Sequence, residues 1–282
     1  PHEVCSPLVG TGEVGRALLR QPIDGVFFTG SVATGKKIAR AASSRLMRVQ
    51  LELGGKDPAY VCEDVDIAEV AAAMADGAFY NTGQSCCAVE RVYVHASIFD
   101  PFVEAFVATV RALRIGDPTD NATYIGPLAR AAQIGVLEQQ VADARRQGAR
   151  VLIGGKRLRG FGRGHYFAPT VLVDVDHSMM VMRHESFGPI IGLMAVRDDA
   201  EAIELMNDSE YGLTAAVYTP DRQRAAAVLA RVEAGSAYWN CCDRVSPRLP
   251  WTGVKDSGIG VTLAREGIKT FTRSKAWHLR PA

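Results

Sequence analysis

Residues 25–53, GVFFTGSVATGKKIARAASSRLMRVQLEL, place a short apolar run, a helix-forming stretch and a second apolar run in that order. Strand, helix, strand over so short a span is the pattern of a parallel sheet covered by helices, because parallel neighbours need a crossover and a helix supplies it. Upstream, EVGRALL reads as another helix and VCSPLV as another strand, which extends the alternation. The junction FFTGSVATGKK, residues 27–37, invites a nucleotide-binding reading. Gly30, Gly35 and Lys36 nearly spell the loop that cradles a nucleoside triphosphate, but Lys37 stands where that loop needs a Ser or Thr hydroxyl to hold magnesium. Gly10, Gly12 and Gly15 spell a G-x-G-x-x-G turn. The acid expected about 20 residues on, which binds ribose hydroxyls, is absent from GSVATGKKIAR. Neither pattern alone decides a ligand.

Downstream, residues 64–80 have the pattern of a helix with Asp64 or Asp66 as its cap. Phe99, Phe102, Val103, Phe106, Val107 and Val110 recur at three- and four-residue steps, and this aromatic stripe reads as core packing on one helix face. Helical stretches near 127–147, 198–207 and 221–233 alternate with the strand-like VLIGG, IIGLMAV, TAAVYT and SAYWN, which makes a second α/β unit. The last segment, IKTFTRSKAWHLR, alternates like a strand but follows everything that could pair with it locally, so a neighbouring subunit is its expected partner.

Bulk properties exclude several function classes. The 282 residues are 48% apolar and 22% charged, as in a globular protein of one large or two smaller domains. A formal net charge of +1 without a Lys/Arg stripe offers no footprint for nucleic acid or an anionic membrane. No apolar run reaches the roughly 18 residues of a membrane span, and PHEVCSPLVG lacks the features of a signal peptide, so the expected location is cytoplasmic. Six cysteines, with adjacent pairs at Cys86-Cys87 and Cys241-Cys242, match neither a secreted disulfide framework nor zinc spacing, so no metal is expected.

Three residues could carry chemistry. Cys86, in YNTGQSCCAVERVYV, lies between a helix-like stretch and a strand behind a Gly-Gln turn, where backbone N–H groups could lower its pKa and receive an oxyanion; a small buried thiol is the equal alternative. No histidine is placed to act as its base. Glu52, in QLELGGKDP, ends an apolar strand before a Gly-Gly turn, at the edge where open α/β sheets bind ligands, although a cap or ion pair would look the same. Glu185, in RHESFGPII, could accept the two hydroxyls of a ribose with Phe187 against a flat ring. A strand-entry acid beside a core Phe is the plainer reading.

FTGS, LELGGKDP, GQSCCA, GDP followed by IGPL, HYFAPTV, ESFGPI and NDSEYGL occur here in the order found in aldehyde dehydrogenases. Over essentially its whole length the sequence resembles the C-terminal part of that superfamily. The resemblance implies an α/β fold: a remnant of a Rossmann-type cofactor sheet over residues 1–53, a catalytic domain over 54–255, and a C-terminal helix and oligomerisation strand over 256–282. It implies NAD(P)-dependent oxidation of an aldehyde to a carboxylic acid. Cys86 would be the nucleophile, Glu52 the base that activates water, and Cys87 a bystander. Gly30 and Ser31 would approach the cofactor's diphosphate, Gly35 would let the helix pack close to it, Leu53 would also bind the cofactor, and Glu185 would hold its nicotinamide ribose with Phe187 bordering its ring, with NAD or NADP as cofactor. A homodimer or homotetramer is implied as well. VGTGEVG becomes a strand-to-helix turn in the same sheet. In the family, the portion upstream of Pro1 holds the first strands of the nucleotide sheet, a lysine for the adenosine ribose and an asparagine for the oxyanion hole. A departure lies in NCCDRVSPRLPWTGVKDSG, where Trp251 and Thr252 replace a Phe-Gly-Gly turn and reshape or repack the substrate mouth. Two other readings remain: an assembly piece of the same fold without productive cofactor binding, and a cofactor-independent cysteine acyl-transfer enzyme.

Overall fold

A computed structural model describes residues 4–242 and 244–281. Its first unit runs through α1 (Gly12–Leu18), β1 (Gly25–Thr29), α2 (Val32–Ser43) and β2 (Arg48–Glu52). β1 and β2 pair in parallel, as the 25–53 stretch requires. The second unit comprises β3 (Asp57–Val61), α3 (Ile67–Phe79), β4 (Val89–His95), α4 (Phe99–Ala112), α5 (Ala131–Arg146), β5 (Arg150–Ile153), the small ladder of β6 (Arg157–Leu158) and β7 (Tyr166–Phe167), β8 (Thr170–Val173), α6 (Met180–Arg183), β9 (Ile190–Val196), α7 (Asp199–Asn207), β10 (Thr214–Tyr218), α8 (Arg222–Leu229) and β11 (Ser236–Trp239). β12 (Gly258–Ile259) then returns to the first unit, pairing antiparallel with β2, and α9 (Ala264–Lys269) follows.

The large sheet has seven strands in the order β11-β10-β3-β4-β9-β8-β5. Its pairs are parallel except β5 with β8. Alternation along each strand divides two apolar cores. Tyr60 and Tyr93 point to the face packed by α5, α7 and α8, whereas Ala59, Val61, Val92 and Val94 point to the face packed by α3 and α4. Strands covered on both faces read as continuous apolar runs rather than alternating ones. The 99–110 stripe behaves as expected: Phe102, Phe106, Val107 and Val110 are buried. Asp66, not Asp64, caps α3, its carboxylate accepting from the Glu69 N–H.

Two expectations fail. VCSPLV forms no strand; residues 4–9 are exposed and join no ladder. Strand propensity without a neighbour leaves the backbone groups to water. VGTGEVG keeps only its helical half, with Thr11 capping α1. The segment after α9 joins no ladder among the described residues, as befits a strand whose expected partner is another subunit, and Phe271 stacks on Phe27 of β1 at 4.5 Å between ring centroids. β3, an interior strand of the large sheet between β10 and β4, is hidden in the sequence because Pro58 argues against a central strand. A register shift between Asp57 and Pro58 lets the proline sit there.

Candidate active site

The carboxyl ends of β1 and β2 and the loops around them enclose a cleft of about 630 Å³. Thr29, Gly30 and Ser31 line it from the β1–α2 junction; Glu52, Leu53 and Gly54 line it from the end of β2. Gln84, Ser85 and Cys86 face them, and the start of α5 and the 185–187 turn complete the wall with Arg130, Gln133, Val136, Glu185 and Phe187. The cleft thus brings together every expected catalytic or cofactor-binding residue except Gly35. That glycine lies beneath Leu53: a Cβ there would stand 2.5 Å from a Leu53 methyl, so its role is to let α2 approach the end of β2.

Cys86 is aimed by a constrained turn. Asn81, Thr82 and Gly83 all take left-handed backbone angles, at φ 49°, 60° and 68°. Such conformations persist where surrounding contacts over-determine them. The Asn81 amide donates to the Gln84 carbonyl at 2.9 Å, Gln84 Oε1 accepts from the Ala129 N–H at 2.8 Å, and Thr82 Oγ1 accepts from the Gly126 N–H at 3.1 Å. A Cβ on Gly83 would meet the Gly188 carbonyl oxygen at 2.4 Å, so the GQSCC and ESFGP turns sit back to back. Cys86 is half-buried and Cys87 buried. A hydrogen bond with the Cys87 thiol draws the Cys86 thiol below its usual range, against burial and the nearby carboxylates of Asp57, Glu185 and Glu52. Cys86 packs against the cluster that holds Cys87. In that cluster Cys87 packs with Leu213 and the buried Trp251, so Trp251 fills the space behind the thiols.

Glu52 accepts the Gly30 N–H through its carbonyl at 3.0 Å, which ties the ends of β1 and β2 together. Its Oε1 accepts from Gln50 Nε2 at 3.4 Å and from the Thr262 hydroxyl. Glu185 Oε1 accepts from the Gly55 N–H at 3.2 Å. Burial, aided by the Glu90 carboxylate, pushes the Glu185 carboxyl up to about 7. Phe187, left-handed at φ 46° and 37% exposed, presents its ring to the cleft.

A buried polar network that sequence reasoning missed holds the 185–187 turn. Lys56 Nζ lies 2.5 Å from Glu90 Oε2, both side chains being buried, and donates to Ser186 Oγ at 3.0 Å. Glu90 accepts from the Ser186 N–H at 2.8 Å and from the Phe187 N–H at 2.9 Å. Ser186 Oγ donates to Gln140 Oε1 at 2.7 Å, and Gln133 Nε2 donates to the Ser186 carbonyl at 2.5 Å. The available signal was Lys56 itself, a lysine between a Gly-Gly turn and an apolar run, where an ammonium is tolerated only if paired.

The sequence profile of the aldehyde dehydrogenase family matches residues 1–277. The chain belongs to that family. It is similar to the chloroplastic betaine aldehyde dehydrogenase of Atriplex hortensis, 37% identical over 277 residues that cover 98% of this chain and 55% of the relative. It is also similar to a betaine aldehyde dehydrogenase of Brucella melitensis, 39% identical over 263 residues, 92% of this chain and 54% of the relative. Among solved structures it resembles the betaine aldehyde dehydrogenase of Staphylococcus aureus in complex with NAD+, with a TM-score of 0.90 and 33% identity over 93% of this chain and 53% of that one. The aldehyde-dehydrogenase-like α/β fold is thereby established, and the chain spans about half the length of the relatives it matches. Among the described residues no helix is long and apolar enough to cross a membrane.

Proposed function

We propose that this chain carries the catalytic centre of an NAD(P)-dependent aldehyde dehydrogenase, with Cys86 as nucleophile and Glu52 as the base that activates water. One observation carries the proposal: Cys86, Glu52 and Glu185 line a single cleft that also reaches Ser31, the N-cap of α2.

That cleft suits a dinucleotide. The first N–H groups of a helix have no intrahelical partner, and together with the helix dipole they favour an anionic group. Gly30 and Ser31 would meet the diphosphate there, with Leu53 alongside. Glu185 in its ionised form would accept the ribose hydroxyls, and Phe187 would border the nicotinamide. When bound, the nicotinamide supplies the hydride acceptor for the oxidation.

The Cys86 thiolate adds to the aldehyde carbon, and its electron pair becomes the new C–S bond while the carbonyl oxygen takes up negative charge. Thiolate is the reactive form, so the Cys87 hydrogen bond favours this step. Oxidation leaves a thioester on Cys86. Glu52 then removes a proton from a water molecule as its oxygen attacks the thioester carbon; the tetrahedral adduct collapses, the Cys86 thiolate departs and the acid is released. Glu52 returns its proton to solvent. Assembly as a homodimer or homotetramer belongs to the same proposal and agrees with the exposed apolar side chains Ile268, Phe271, Trp277 and Leu279 near the C-terminus.

The test is cofactor binding and single-turnover chemistry on this chain. NAD or NADP at millimolar concentration should raise the melting temperature, and an aldehyde should then yield a burst of reduced cofactor that Cys86→Ser abolishes and Glu52→Gln preserves. A burst surviving in Cys86→Ser, or undiminished turnover after the burst in Glu52→Gln, would refute the assignment.

A further inference from the structure

The geometry points to Thr262 as the positioning residue that holds Glu52 ready to activate water, an assignment that rests on the reading of Glu52 as the base. Thr262 is 210 positions away in sequence, and its hydroxyl donates to Glu52 Oε1. With Gln50 Nε2 on the same oxygen, no donor among the described residues reaches Oε2. One carboxylate oxygen is therefore fixed and the other left to take a proton from water.

The position of Thr262 is itself over-determined. Its N–H donates to the Trp251 carbonyl and its carbonyl accepts the Trp251 N–H, both at 2.8 Å. Trp251 is 6% exposed and packs against Cys87 and Leu213, with Cys86 at the edge of that cluster. The nucleophile and the contact that orients the base thus share one support. On the other side, β12 joins the segment to β2 through the pairs Gly258 with Glu52 and Ile259 with Leu51. Leu263 and Ala264 take left-handed angles of 59° and 49° directly after Thr262, and a Cβ on Gly267 would come within 2.6 Å of the Thr262 carbonyl carbon. Strain of this kind persists only where the surroundings hold it.

The hydroxyl has a second acceptor in reach. Thr262 Oγ1 lies 3.5 Å from the Trp251 carbonyl. A hydroxyl donates once and accepts twice. While Glu52 is a carboxylate, the Thr262 hydrogen is spent on it. Once Oε2 carries the proton from water, Oε1 is the carbonyl oxygen of the acid and still accepts the Thr262 hydrogen, with the Trp251 carbonyl as that hydrogen's alternative acceptor. Glu52 keeps its hydrogen bond through both protonation states, without a shift of either side chain.

The experiment uses the whole chain and p-nitrophenyl acetate, which acylates the cysteine without cofactor. Rapid mixing separates the nitrophenolate burst from the slower turnover, and intact-mass spectrometry counts the trapped acetyl-enzyme. Thr262→Val should keep the burst amplitude and slow deacylation about tenfold to hundredfold, the effect of losing a hydrogen bond to a charged group. Thr262→Ser, which restores the hydroxyl, should deacylate within about twofold of the parent. Thr262→Ala serves if the valine variant does not fold. Glu52→Gln runs alongside. Parental deacylation in Thr262→Val or Thr262→Ala beside a slow Glu52→Gln overturns the role of Thr262 and spares that of Glu52. A serine variant as slow as the valine variant overturns it too, since the hydroxyl is then not the active feature. Parental deacylation in Glu52→Gln removes the base assignment and this inference with it.

Discussion

Glu185 should make folding and cofactor binding respond to pH in opposite directions. Its carboxyl rises from an ordinary 4.5 to about 7 in the folded chain, chiefly because burial disfavours the charge and secondarily because Glu90 lies nearby. Between those values the unfolded chain has released the proton while the folded chain still holds it. Stability changes with pH in proportion to protons bound unfolded minus protons bound folded, a negative quantity throughout this window. The Glu185 contribution is thus favourable at pH 4.5 and below, and declines by about 3 kcal/mol as pH rises to 7, since each pH unit between the two values is worth about 1.4 kcal/mol. Binding runs the other way. Only the ionised carboxylate can accept both ribose hydroxyls, so cofactor affinity should weaken about tenfold between pH 8 and pH 6. Urea unfolding of the parent and of Glu185→Gln at pH 5 and pH 8 isolates the first effect, because other titrating groups are common to both chains. Fluorescence titration with reduced cofactor over the same range reads the second. If the difference between parent and variant stays constant with pH to within about 0.5 kcal/mol, well short of the value expected from the linkage relation, the burial argument is wrong. If affinity is flat while stability titrates, Glu185 is buried as described but does not hold the ribose.

Further outcomes follow from the surrounding contacts. Cys87→Ala removes the thiol that favours the Cys86 thiolate, so alkylation of Cys86 by iodoacetamide at pH 7 should slow about two- to tenfold, the range of an ordinary hydrogen bond, with exposed Cys5 as internal reference in peptide mapping. Lys56→Met leaves Glu90 charged and buried without its counterion, and denaturant unfolding should register a loss of about 3–5 kcal/mol. Gly35→Ala forces a methyl into Leu53 and should cost about 1–3 kcal/mol of stability. Combined with Leu53→Ala, it should cost less than the sum of the two single changes, since the clash is then gone.

The parts of this molecule legible in its sequence are those whose causes are local. The β1–α2–β2 unit reads correctly because apolar runs and a capped helix follow one another within one crossover, and the α4 stripe because a helix repeats its buried face every three or four residues. VCSPLV and the C-terminal tail satisfy the same local criteria, yet neither is a strand in the single chain, because a ladder is a property of two segments. The site divides along the same line. Cys86, Glu52 and Glu185 stand in turn-bounded motifs, and a family resemblance brings them out. Their supports do not, for each is set by a contact between distant segments: Gly55 with Glu185 at 130 positions, Lys56 with Ser186 also at 130, Thr262 with Glu52 at 210. Each of those contacts turns on a single donor or charge whose partner comes from another element, so no periodicity announces it. The distribution has a physical consequence. A change at Thr262 or Lys56 leaves every motif in the sequence intact while altering how the motif residues are held, so substitutions that look remote from the chemistry should act on deacylation or on the 185–187 turn.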